Sequence, residues 1–136
     1  MKKSYRTLEF SFIQDYIKNY CFSEMAKKRI DQIQPFQDID DLKLYQDDIS
    51  SAMKIIYAYG RIPLAPYEDI KEILQKAQKG GVCYPQDLLK IVQILKNVQE
   101  VQAYLDQEIE QSHLLEILSL LYLPKDLYNE ILKCVD

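Results

Sequence analysis

Histidine occurs once in this chain and tryptophan not at all, with only three glycines, five prolines and three cysteines. Each shortage excludes something. One imidazole cannot build a histidine-rich metal site, and any Ser-His-Asp triad would have to use His113. Folds rich in strands and tight turns use glycine and proline freely, so eight such residues in all point to helices. With two of the three glycines adjacent, neither a Gly-x-x-x-x-Gly-Lys phosphate loop nor a Gly-x-Gly-x-x-Gly fingerprint occurs. No Cys-x-x-Cys is present, and Cys21, Cys83 and Cys134 lie far apart, which fits a reducing compartment rather than a disulfide framework or zinc ribbon. Long hydrophobic runs are missing too. Ile117 to Leu123 contains Ser119 and is far too short to span a bilayer, and the N-terminus has no signal core. A cytoplasmic protein without a membrane partner is expected.

The 136 residues suit one helical domain, and 48% apolar with 28% charged residues is a folding composition. The net charge is −4, unevenly spread. Residues 1–34 carry seven bases against four acids, whereas residues 35–136 carry ten bases against seventeen acids. Nucleic-acid affinity rests largely on phosphate neutralisation, so only the basic first part could serve a polyanion. The run Lys27-Lys28-Arg29 reads as the solvated face of a helix.

The apolar pattern is helical throughout and predicts an all-α fold of about seven helices. Leu8, Phe12, Ile13, Tyr16, Ile17 and Tyr20 stripe a first helix from about Thr7 to Tyr20. Ser23 caps a second, with Met25, Ala26, Ile30 and Ile33 expected to be buried and Pro35 ending it. These two form a basic hairpin over 1–34. Asp38 caps a third helix, whose seam is Ile39, Leu42, Tyr45, Ile49, Ala52, Ile56 and Tyr59, with Gly60 as its stop. A loop carrying Pro63 and Pro66, either of which could be cis or trans, leads to a short helix over Glu68 to Lys79. There Ile70, Ile73, Leu74 and Ala77 are expected inward, and Gly80-Gly81 stops the helix. Pro85 and Asp87 open a long fifth helix with Leu88, Ile91, Leu95, Val98, Val101, Leu105 and Ile109 in its seam. Over 38–109 the two long helices are expected to pack as antiparallel partners, with the short helix between them. Ser112 caps a sixth helix to about Leu121, and Lys125 to Cys134 forms a seventh after Pro124.

Chemistry-bearing constellations are few. Asp40-Asp41, Asp47-Asp48 and Glu68-Asp69 sit on polar faces or helix starts, not in a dry cleft that would split their pKa values. Asp38, Asp40 and Asp41 lack the glycine and closing glutamate of a calcium loop. His113 follows a cap residue and reads as a surface or half-buried histidine. The eleven tyrosines, among them Tyr16, Tyr45 and Tyr59, read as core-edge residues rather than base-stacking platforms. Phe22-Ser23-Glu24 matches the Phe-x-Glu wedge of mismatch sensors but lacks the preceding glycine and reads as chance. No catalytic, cofactor-binding or metal-binding residue is assigned.

The stretch from Gly60 to Leu95 resembles the N-terminal region of the second bacterial MutS family, the endonuclease MutS proteins. Pro63-Leu64, Asp69-Ile70, Lys76-Ala77, Gly80-Gly81 and Pro85 stand at matching positions. Leu8-Glu9-Phe10 and the segment Ile131 to Asp136 match the flanks, so the resemblance covers nearly the whole chain. The departures are Ala65-Pro66 for loop glycines, Ser51 for a glutamate, Lys76 for an arginine and Tyr84 for a small polar residue. The resemblance implies a fragment of the helical core of a longer parent. That parent would be a homodimeric ATPase using ATP and magnesium, usually with a small nuclease domain. It would act on branched DNA, suppressing recombination, or on stalled ribosomes, and this fragment would have no catalysis of its own. The rival expectation, from the amphipathic pattern and acidic surface, is a stand-alone helical adaptor that binds a partner protein. A small helical enzyme, the third possibility, would need turnover lost in His113→Ala.

Overall fold

A computed structural model describes residues 9–107 and 109–135. Among them lie seven helices and no strand: α1 (Phe10–Lys18), α2 (Glu24–Asp31), α3 (Ile39–Tyr59), α4 (Lys71–Gln78), α5 (Pro85–Leu105), α6 (His113–Ser119) and α7 (Lys125–Val135). The all-α expectation holds. Thr7 and Leu8, expected at the start of the first helix, lie outside the described residues.

The helix starts follow from their caps. The Ser23 hydroxyl accepts from the Ala26 N–H at 3.1 Å, the Asp38 carboxylate from the Asp40 N–H at 2.7 Å, and the Ser112 hydroxyl from the Leu115 N–H at 3.2 Å. Each satisfies a backbone donor that the first helical turn leaves unpaired. At α5 the Asp87 carboxylate accepts from the Tyr84 N–H at 3.0 Å, and Pro85 takes the first-turn position where a missing N–H costs nothing. α4 ends at Gly80 and Gly81, whose N–H groups donate to the carbonyls of Ala77 and Lys76 at 2.9 Å each. Gly80 has φ +75, and a Cβ on Gly81 would stand 2.9 Å from the Lys76 carbonyl oxygen, so both positions need glycine.

The chain divides into two compact units. The first holds α1, α2 and the short segment Pro66–Asp69. Here α1 packs on α2. The Gln14 side chain donates to the Ile30 carbonyl at 2.8 Å, Lys18 pairs with Asp31, and the Tyr67 N–H donates to the Phe22 carbonyl at 3.4 Å. The packing is thin: Ser23 is buried, and Phe12, Ile13, Tyr16, Ile17 and Tyr20 are all exposed. Met25 and Ile33 are exposed too, contrary to the expectation for α2, whereas Ala26 and Ile30 are half-buried. α2 ends at Asp31, so Ile33 falls past the last turn and off the helical row that would have carried it inward.

The second unit holds α3 to α7, and its core is Ile55, Ile73, Leu95, Val101, Leu123 and Ile131. The main packings are α5 on α7 and α3 on α6. The expected full-length pairing of the two long helices is not among them. They meet instead at Tyr104, whose hydroxyl donates to the Gly60 carbonyl at 2.8 Å and lies 3.5 Å from that of Ile55. The seam of α5 faces inward as expected, with Leu95 and Val101 buried and Leu88, Ile91, Val98 and Leu105 half-buried. Ile109 lies beyond the end of α5. In α3 the inward residue is Ile55, flanked by half-buried Asp48, Ser51 and Ala52, while most of the expected seam is exposed. A spacing near 3.5 identifies an apolar stripe but does not say which neighbour covers it. On α4 only Ile73 is buried. Ile70, just before the helix, is half-buried, and Leu74 and Ala77 are exposed. No peptide bond among the described residues is cis, so Pro63 and Pro66 are both trans.

Candidate functional site

Three polar clusters join elements of the second unit. The first is at the turn between α4 and α5. Lys76 lies 3.5 Å from the Asp87 carboxylate and 4.4 Å from the centre of the Tyr84 ring. The Tyr84 N–H, then the charge of Lys76, hold the Asp87 carboxyl below its ordinary pKa of 3.8. A carboxyl depressed in the folded state contributes stability above its unfolded pKa, and that contribution disappears as pH falls through the folded value. Asp87→Asn keeps an acceptor for the Tyr84 N–H but removes the titration. Its stability, read from urea unfolding through the acid range, is expected to fall less steeply below about pH 4 than that of the parent chain. Identical acid slopes would remove Asp87 from the acid transition.

The second cluster is centred on Asn97 of α5, which is buried at 7% exposure. Its carboxamide oxygen accepts from the Ala65 N–H at 3.2 Å, and its Nδ2 donates to the Ala65 carbonyl at 2.9 Å. One side chain therefore satisfies both backbone groups of a loop residue that no helix or strand can serve. Sequence reading passes over Asn97, although a signal exists. Ile94, Asn97, Val101 and Tyr104 recur at spacings of 3, 4 and 3, so a polar residue stands in an apolar row.

The third cluster joins α3 to α6. His113 Nδ1 lies 3.0 and 2.9 Å from the two carboxylate oxygens of Asp48. His113 is exposed, as a surface histidine should be, but it has a structural partner that the sequence does not disclose. Nearby, a small cavity of about 90 Å³ is lined by Ser51, Lys54, Ile55, Glu110, Gln111 and Ser112. A shallower groove of about 580 Å³ runs beside the end of α5 and α6, with Gln102, Leu105, Leu115, Leu118 and Leu121 among its lining. The Gln102 side chain donates to the Leu121 carbonyl there at 2.8 Å.

The remaining candidates are absorbed into the scaffold. Asp38 is spent on its own helix cap, and Asp48 on His113. In Phe22-Ser23-Glu24 the serine is a buried cap and the glutamate pairs with Lys27 at 2.6 Å, so the acid of the wedge motif is tied into the start of α2. Among the described residues no three His, Cys, Asp or Glu side chains are grouped to hold a metal, and the three cysteines are free thiols. No helix among them is long and apolar enough to cross a membrane.

No family model matches the chain. Individual proteins do. It is 32% identical over 133 residues to Endonuclease MutS2 of Clostridium botulinum (strain Alaska E43 / Type E3), covering 96% of this chain and 17% of that protein. Identity is 30% over 137 residues to Endonuclease MutS2 of Clostridium beijerinckii, and 30% over 144 residues to that of Halothermothrix orenii. The chain thus spans about 17% of the length of these relatives, at their N-terminal end. Over almost its whole length, this chain is a homologue of the N-terminal region of the Endonuclease MutS2 family.

Proposed function

We propose that this chain serves as part of the helical core of an endonuclease-type MutS protein and acts as a mechanical platform. The carrying observation is the match over 96% of the chain to relatives several times longer. The polar clusters fit that role, because each links separate elements within the second unit: Lys76 with Asp87, Asn97 with Ala65, and Asp48 with His113. Groups of this kind fix the relative placement of helices, which is what transmission of movement requires.

On this reading ATP-driven grip on branched DNA or a stalled ribosome belongs to the parent, as do its nuclease activity and dimerisation. The capped helix starts offer no open seat for a nucleotide phosphate, and no residue here is assigned to ATP or magnesium. A nucleotide phosphate needs an open, glycine-rich helix start with a lysine. Here the starts of α3 and α5 hold the carboxylates of Asp38 and Asp87, and those of α2 and α6 are closed by their own serines. No step is therefore routed through either group.

The test is the mass of the native protein in its own cells, by immunoblot with antibody raised against this chain. A band several times heavier than 16.1 kDa is expected. A band at 16.1 kDa would overturn the platform reading and leave a stand-alone adaptor.

A further inference from the structure

One face of α3 in the second unit is left uncovered. Ile39, Leu42, Tyr45, Ile49, Met53 and Ile56 are all exposed, from 37% at Leu42 to 67% at Met53. At 100° per residue these six fall within an arc of roughly 120°. The arc is about 26 Å long at 1.5 Å per residue, and its centre lies some 140° round the helix from buried Ile55. It contains no acid and no base; its one polar position is Gln46. Scattered surface leucines need no explanation, but a charge-free apolar stripe along a whole 21-residue helix marks a contact surface.

We infer that this stripe is the seat of an apolar-striped helix supplied by the remainder of the longer polypeptide. The inference rests on the platform reading and goes beyond it by naming the surface. Two observations select the occupant. The relatives are several times longer than the region matched here, so most of their chain is available to cover it. The positions recur at spacings of 3, 3, 4, 4 and 3, the ridge of a helix that packs into the grooves of another helix. A charge-free stripe offers nothing to phosphate or to an acidic ligand.

The experiment compares the full-length parent with the 136-residue chain. Ile49→Asp with Met53→Asp is expected to lower the thermal midpoint of the parent by several degrees. The same pair leaves the melt of the 136-residue chain unchanged, and Asp47→Lys, off the stripe, changes neither. A second readout does not depend on tolerance of charge. In chains with Cys21, Cys83 and Cys134 replaced by serine, the Met53→Cys thiol is expected to react with maleimide about tenfold or more slower in the parent than in the 136-residue chain. Equal reactivity in the two overturns the inference, as does a parent melt that ignores Ile49→Asp. A fall in the melt of the 136-residue chain also overturns it, because the stripe would then be covered within these residues. A dimer of the 136-residue chain that Ile49→Asp converts to monomer makes the occupant a second copy and overturns it equally. Failure of the platform reading itself is separate: it shows as a native band at 16.1 kDa, before any variant is made.

Discussion

Val101→Asp is expected to abolish cooperative unfolding of the second unit, leaving a far-UV circular dichroism melt without a resolved transition. Val101 is the most completely buried side chain among the described residues, at 1% exposure, on the inward seam of α5 one turn before its C-terminal end. A carboxylate there would lose its hydration in an apolar surround with no partner, at a cost of several kcal/mol. Domain stabilities are only about 5–15 kcal/mol, so one such charge takes most of the margin. Val101→Ala separates burial from charge. It removes two methyl groups, and about 2 kcal/mol should go while the melt stays cooperative. Leu89→Asp on the same helix is the control, since Leu89 is exposed and surface changes stay within about 0.5 kcal/mol. Should Val101→Asp melt like the parent chain, α5 does not present this face to the core.

The sequence discloses local structure well because local structure is decided within a few residues. Ser23, Asp38 and Ser112 each cap the helix that follows, since an oxygen just before an apolar run has a free N–H two or three residues away to satisfy. Gly80-Gly81 and Pro85 bound the turn between α4 and α5 for equally local reasons. The choice of partner is not local. The stripes of α3 and α5 are matched in length, yet α5 packs on α7 and α3 on α6. Ile55 lies next to Ile56 in sequence and faces the core while Ile56 does not. Both residues are apolar, and spacing alone assigned Ile56 to the seam. What decides between them is the neighbour that each side of α3 meets.

The candidate sites divide along the same line. The absence of nucleotide-binding fingerprints is legible in the glycine count. The pairing of His113 with Asp48, 65 residues apart, is not, because no spacing rule links a helix start to the middle of a distant helix. Lys76 and Asp87 are eleven residues apart across a turn, and their meeting depends on how Gly80 reverses the chain. The exposure of α1 is the sharpest departure from pattern reading. Its stripe is well formed, and yet Phe12, Tyr16 and Tyr20 are open to solvent, with the Tyr16 and Tyr20 hydroxyls 3.0 Å apart. An amphipathic pattern records what a helix is made to bury, not which neighbour does the burying.

Asn97→Leu is expected to cost the second unit about 2–4 kcal/mol, a large loss for an exchange that adds apolar surface. The new side chain nearly matches the old in size, so cavity formation contributes little. The loss comes from Ala65. Its N–H and carbonyl are both served by Asn97, in a half-buried loop between two prolines. Left without partners, such groups cost about 1–3 kcal/mol each, less where water can reach them. Urea unfolding should therefore show a lower midpoint with an unchanged slope. Gln99→Leu, at an exposed position two residues along the helix, should change little. Asn97→Asp gives a signature of opposite sign in acid. Its carboxylate can accept from the Ala65 N–H but cannot donate, and it sets a negative charge against the Ala65 carbonyl oxygen. Protonation restores the donor, so the folded-state pKa of that carboxyl is raised and the variant gains on the parent chain as pH falls below neutral. A Leu exchange without cost, or an Asp exchange that loses ground in acid, would show that Asn97 does not hold the loop.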